Sequence, residues 1–201
     1  NAFVLVNNVK VYGGFAGTET TLSQRNFIAN TTILSGDLGI AGNSSDNCYH
    51  VVISAGPVGV AELNGFTIKE GNAHNNHTYS VNSIITESNN GGAIYCGASS
   101  PLIKNCNIIN NNASNEAGGL FNKNGSNTQV DSCNFTANSV AANGGGAIYN
   151  ETNTNVVINN STFTQNSTAF GRYGAAILNS TNSNTTIFKC SFVNNAAGYG
   201  G

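Results

Sequence analysis

The sequence predicts an all-β chain, a right-handed parallel β-helix whose coils are about 27 residues long. Three observations predict it. A glycine-rich start recurs at Gly91-Gly92-Ala93-Ile94, Gly118-Gly119-Leu120-Phe121, Gly145-Gly146-Ala147-Ile148 and Gly174-Ala175-Ala176-Ile177. Gly200-Gly201 begins a further copy, and successive starts lie 26 to 29 residues apart. A fixed period of this size marks a repeat architecture. A second mark sits inside each copy: Cys106-x-Ile108-x-x-Asn111, Cys133-x-Phe135-x-x-Asn138, Ser161-x-Phe163-x-x-Asn166 and Cys190-x-Phe192-x-x-Asn195. Third, the copies show no useful helical stripe, and Gly, Asn, Ser and Thr fill the space between apolar points.

The spacing dictates the path of the coil. A gap of two keeps two side chains on one strand face, whereas a gap of three keeps both inside only if the chain bends. Ile103, Val130, Ile158 and Ile187 stand three places before the small residue, and the ladder Asn stands three places after the large apolar one. Each copy is therefore a set of short strands joined by bends. Stacked coils bring equivalent residues to about 4.8 Å, and parallel crossovers make the right hand the default.

The stacking predicts three interior columns. Ile108, Phe135, Phe163 and Phe192 form an apolar one. Cys106, Cys133, Ser161 and Cys190 form a small one at a bend. Asn111, Asn138, Asn166 and Asn195 form an amide ladder, each donating to the next. The Gly-Gly pairs mark positive φ or close backbone approach.

The GGAI and FxxN marks of residues 91–201 resemble the repeat of the polymorphic outer-membrane protein family, autotransporter-type surface proteins of diderm bacteria. That resemblance implies a β-helix passenger at the cell surface, commonly adhesive. Val11-Tyr-Gly-Gly-Phe-Ala-Gly-Thr-Glu with Thr32-Ile-Leu-Ser-Gly-Asp resembles the opening of secreted β-helix proteins of such bacteria. Residues 1–201 then form a single β-helix domain, with irregular coils over 1–90 and regular repeats over 91–201. The domain is expected to be part of a longer chain that continues on both sides, its ends covered by further coils of the same chain or by neighbouring copies.

Taken in order, residues 1–15 read as strand then turn. Residues 16–30 are a polar excursion with one helical turn capped by Thr21 or Ser23. Thr32 to Ser35 is a strand, 38–47 a Gly/Asn/Ser loop, Tyr49 to Ile53 a strand and Val58 to Ala61 a short one. Leu63, Phe66, Ile68 and Gly71 take the places of Ile103, Cys106, Ile108 and the ladder Asn. The surplus between Gly71 and Asn111 is a loop, Asn72 to Asn90, carrying His74, His77, Tyr79 and Glu87.

Composition narrows the function. The net charge of −2 gives no electrostatic case for nucleic acid, and no apolar run is long enough for a membrane helix. Charged residues are 8% of the chain, so polarity comes from neutral side chains, as suits an extracellular rod. The five cysteines show no CxxC pattern; they read as buried thiols, with a Cys106–Cys133 disulfide as the alternative.

The expected function is a non-enzymatic cell-surface or secreted protein, an adhesin shaft or passenger displaying loops to surface glycans or matrix proteins. The alternative is a carbohydrate-active enzyme, because polysaccharide lyases and hydrolases share the fold. Such an enzyme needs carboxylates gathered on one face, and the nine acidic residues show no such grouping at the coil period. His74-x-x-His77 is a weak metal motif, Arg172 a weak catalytic one, and no cofactor is implied. Asn-x-Ser/Thr at Asn30, Asn112, Asn134, Asn150, Asn166 and Asn184 follows from composition.

Overall fold

A computed structural model describes residues 2–199. The pair Gly200-Gly201 lies outside the described residues. Strands of two to five residues run through three parallel six-stranded sheets, visited in order by every coil. The first sheet stacks Phe3–Val4, Val52–Ala55, Ile94–Gly97, Leu120–Lys123, Ile148–Asn150 and Ile177–Asn179. The second stacks Lys10–Tyr12, Glu62–Asn64, Leu102–Lys104, Gln129–Asp131, Asn155–Asn159 and Asn184–Phe188. The third stacks Thr32–Ser35, Phe66–Lys69, Asn107–Ile109, Asn134–Thr136, Thr162–Thr164 and Ser191–Val193. A fourth, minor sheet holds Asn72–Ala73, Asn112–Ala113, Ser139–Val140 and Ser167–Thr168. The chain is a parallel β-solenoid.

Bends fall where the gaps of three put them. The residue before each small residue is left-handed: Asn105, Ser132, Asn160 and Lys189, with φ of 51°, 56°, 51° and 53°. The residue before each ladder Asn is left-handed too: Asn110, Ala137, Gln165 and Asn194. A non-glycine residue in this region is disfavoured, so the stack must enforce it eight times over.

The interior columns form as the spacing predicts. Phe135 and Phe163 stack at 5.0 Å and 8°, and Phe163 and Phe192 at 4.8 Å and 6°. Ile68 and Ile108 continue the column. Each ladder amide donates to the next carbonyl oxygen: Asn111 to Asn138 at 3.0 Å, Asn138 to Asn166 at 3.0 Å, and Asn166 to Asn195 at 2.9 Å. The second amide hydrogen of each goes to a main-chain carbonyl one coil back: Ile68, Ile108, Phe135 and Phe163 in turn. The oxygens of Asn138, Asn166 and Asn195 also accept the backbone N–H of the preceding ladder residue. A fully buried amide is thereby saturated without water. All five cysteines are free thiols, and Sγ of Cys133 accepts the Cys106 N–H.

Four details differ from the sequence reading. The second copy starts one residue earlier, at Ala117-Gly118-Gly119-Leu120, because Ile94 pairs with Leu120 and Tyr95 with Phe121. Ala117 carries the positive φ of 51°, and a Cβ at Gly119 would sit 2.3 Å from the Ala147 carbonyl oxygen, so glycine is required there. Val58 to Ala61 is a turn, set by Pro57 and by Gly59 at φ 57°, not a strand. The first-sheet strand expected over Tyr49 to Ile53 instead runs from Val52 to Ala55. The surplus before the repeats is no open loop: Asn72–Ala73 joins the minor sheet, and Thr78–Val81 pairs antiparallel with Ile84–Glu87.

A second buried ladder was missed. Asn122 donates to Asn150 and Asn150 to Asn179, each at 2.9 Å. Their 28- and 29-residue spacings were in plain view, two places after Leu120, Ile148 and Ile177.

Candidate functional site

Strand alternation sends Ile94 and Cys96 inward and Tyr95 outward. The register then lines up an outer column on the first sheet: Val4, Ile53, Tyr95, Phe121, Tyr149 and Leu178. Tyr95 and Phe121 lie 5.2 Å apart, and Phe121 and Tyr149 5.9 Å. An outward aromatic column exposed to water would be costly. Here Tyr95 and Phe121 are fully buried, because an excursion covers them.

That cover is the hairpin of residues 78–87. Its turn residues Asn82 and Ser83 have φ of 48° and 66°, the sign pattern of a type I′ turn, which matches strand twist. Asn82 Nδ2 donates to the Ala55 carbonyl at 3.1 Å, pinning the tip to the first sheet. Val81 and Ile84 pack against the column. Ser88 Oγ bridges the main chain of His77 and closes the base.

The hairpin also delivers charge. Glu87 accepts hydrogen bonds from Tyr95 Oη and Lys123 Nζ. Lys123 also lies 3.9 Å from Glu151. Glu116, nearly buried, accepts from Asn143 Nδ2 at 3.0 Å. Burial pushes the Glu116 carboxyl up, the Asn143 bond opposes this, and the neighbouring Glu151 and Glu87 add to the rise. Burial, then the Glu87 carboxylate, raise the Tyr95 hydroxyl well above the usual phenol range. At the coil period no acid stacks on another, since Glu116 aligns with Asn90 and Gly144, but the excursion brings Glu87 near enough to act, with Glu151, on the Glu116 carboxyl. Glu87 was invisible because it arrives on an excursion that folds back. Lys123 and Glu151 were legible, each following a ladder Asn by one place.

Beside this network lies a cavity of about 320 Å³, lined by Val4, Tyr49, His50, Ile53, Tyr79 and Val81 among others. His50 is 1% exposed. Its Nδ1 sits 2.9 Å from the Gly91 carbonyl oxygen, so Nδ1 carries the proton, and Nε2 has no partner. Burial drives its pKa down to about 4, so the ring is neutral near pH 7.

The residues singled out from the sequence fall elsewhere. Asn111, Asn138, Asn166, Asn195, Phe135, Phe163 and Phe192 serve the interior columns. His74 Nδ1 is bonded to its neighbour Asn72 O at 2.8 Å, and its ring meets Tyr49 edge-on. Arg172 is exposed. Asn150 and Asn166 are fully buried, so these two sequons are inaccessible to glycosylation in the folded chain. Among the described residues, no group of three or more His, Cys, Asp or Glu side chains is placed to hold a metal ion. Comparison with protein-family models, curated proteins and solved structures finds no match.

Proposed function

We propose that this chain is a non-enzymatic surface or secreted β-helix protein, an adhesin shaft or passenger that presents ligand-binding excursions outside the cell. The observation that carries the reading is the hairpin-covered outer face, where Tyr49, Tyr79 and the neutral His50 border a cavity beside a charged network. Aromatic faces with polar edges suit saccharide rings, whose CH faces are apolar and whose rims are hydroxyls. The neutral, Asn-rich exterior and the repeat resemblance support a surface role. The test is retention on immobilised glycans and matrix proteins. Retention should fall about tenfold or more in Tyr79→Ala with the melting temperature held within a few degrees. Equal retention by wild type and variant sinks the site; no retention of wild type on any surface sinks the function.

One observation favours a second reading. Glu116 has a raised carboxyl beside two other carboxylates, the property of a general acid in a glycosidase. Reducing-sugar release from polysaccharides, abolished by Glu116→Gln, supports it. Absence of release above background removes it.

A further inference from the structure

We infer that the cavity between the hairpin and the first sheet takes a single terminal deoxyhexose, an uncharged sugar ring with a methyl group in place of the hydroxymethyl. The inference rests on the glycan-binding reading and names the sugar. The cavity, about 320 Å³, lies at the low end of small-molecule sites, which fits one ring rather than a chain. Three parts of the fold line it. Val4 comes from the first strand of the first sheet, Tyr49, His50 and Ile53 from in or just before the strand stacked on it, and Tyr79 and Val81 from the hairpin. His50 and Ile53 are buried, whereas Val4 and Tyr79 are over a third exposed. The buried pair therefore form the floor and the exposed pair the mouth.

The floor calls for a hydrogen-bond donor. His50 Nδ1 donates to the Gly91 carbonyl oxygen at 2.9 Å, which leaves Nε2 as an acceptor. Among the described lining residues, Nε2 is the buried polar atom without a partner. A buried acceptor without a donor is costly, and a sugar hydroxyl removes the cost. The ring's low pKa of about 4 keeps Nε2 an acceptor at neutral pH.

The walls call for an apolar, uncharged group. Val4, Ile53 and Val81 present aliphatic side chains, and the described lining holds no charged group and no amide. A uronate or an amino sugar would bury a charge without a partner. A hydroxymethyl against these walls would bury a hydroxyl without a partner, whereas a methyl gains apolar burial. Tyr49 and Tyr79 offer aromatic faces to the CH side of the ring. Tyr49 Oη accepts from Asn75 Nδ2 at 2.8 Å, which ties that ring to the excursion.

The test is calorimetric titration of the full chain with matched monosaccharides. L-fucose is set against L-galactose and L-rhamnose against L-mannose, pairs that differ only by that hydroxyl. The better deoxyhexose should bind about 10- to 100-fold more tightly than its hydroxylated twin. Val81→Thr keeps the shape of the side chain and adds a hydroxyl to the wall, and should cut that ratio at least about threefold. The His50 Nε2 nitrogen resonance of wild type should move as the sugar is added. Equal affinity for the twins, an unchanged ratio in the variant or an unmoved resonance overturns the inference. If neither pair binds while other glycans are still retained, the sugar class falls and the glycan-binding reading stands. If no glycan is retained at all, both fall.

Discussion

The coils from residue 91 to 199 and those from residue 2 to 90 are made of the same sheets but spend their residues differently. The later coils repeat every 26 to 29 residues, and their interior is a set of like-on-like columns. The earlier coils keep the register, with Leu34 over Ile68 over Ile108, but lengthen to admit excursions at 16–30, 37–47 and 74–89. All three histidines, Glu87 and the loop aspartates Asp37 and Asp46, each with one donorless oxygen, belong to the earlier half. Repetition supplies rigidity and interruption supplies chemistry. One arginine shows how an excursion is tied down: Arg25 donates to the Gly13 carbonyl at 2.9 Å and the Asn64 carbonyl at 3.1 Å, and sits over the Tyr12 and Phe27 rings.

If the regular columns carry stability, the largest effect belongs to Phe163, buried between two parallel rings. Phe163→Ala should cost about 3–5 kcal/mol in denaturant unfolding, and a loss under about 1 kcal/mol breaks the comparison. His50 sharpens it from the irregular side. Its folded pKa of about 4 lies below the ordinary 6.5, chiefly through burial. The stability it holds is therefore complete above pH ~6.5 and lost as pH falls towards 4, by up to about 3 kcal/mol. A His50→Gln variant should lack that part of the acid limb when melting is followed from pH 7.5 to 4.5; identical limbs would count against a buried neutral ring. Next comes Asn138→Ala, about 1–3 kcal/mol, because Asn111 loses an acceptor for both its amide and its main-chain N–H. Exposed Asn182→Ala, at a left-handed φ of 58°, should cost under about 1 kcal/mol beside it. The smallest effect is Asp131→Asn, whose ion pair with Lys104 at 2.7 Å is part-exposed and should contribute under about 1 kcal/mol, fading with salt.

The fold was legible because a solenoid writes its contacts into one period. The gap of three at Ile103-x-x-Cys106 dictated a bend, and Asn105 makes it. Leu63, Phe66 and Ile68 could be placed in register before any clear repeat for the same reason. The candidate site was not legible, since its geometry depends on where an excursion lands. Nothing in Thr78 to Glu87 says that Glu87 will meet Lys123, 36 residues on. The donorless oxygens of Asp37, Asp46 and Asn47 depend in the same way on a loop closing over itself.

Amide hydrogen exchange on the full chain tests the division most directly. The account expects the slowest exchange at the ladder N–H groups of Asn111, Asn138 and Asn166 and along the strands stacked on them. Residues 16–30, 37–47 and 78–87 should exchange faster by orders of magnitude in the absence of ligand. Excursions protected as strongly as the ladder, or ladder amides exchanging as fast as the excursions, would contradict it.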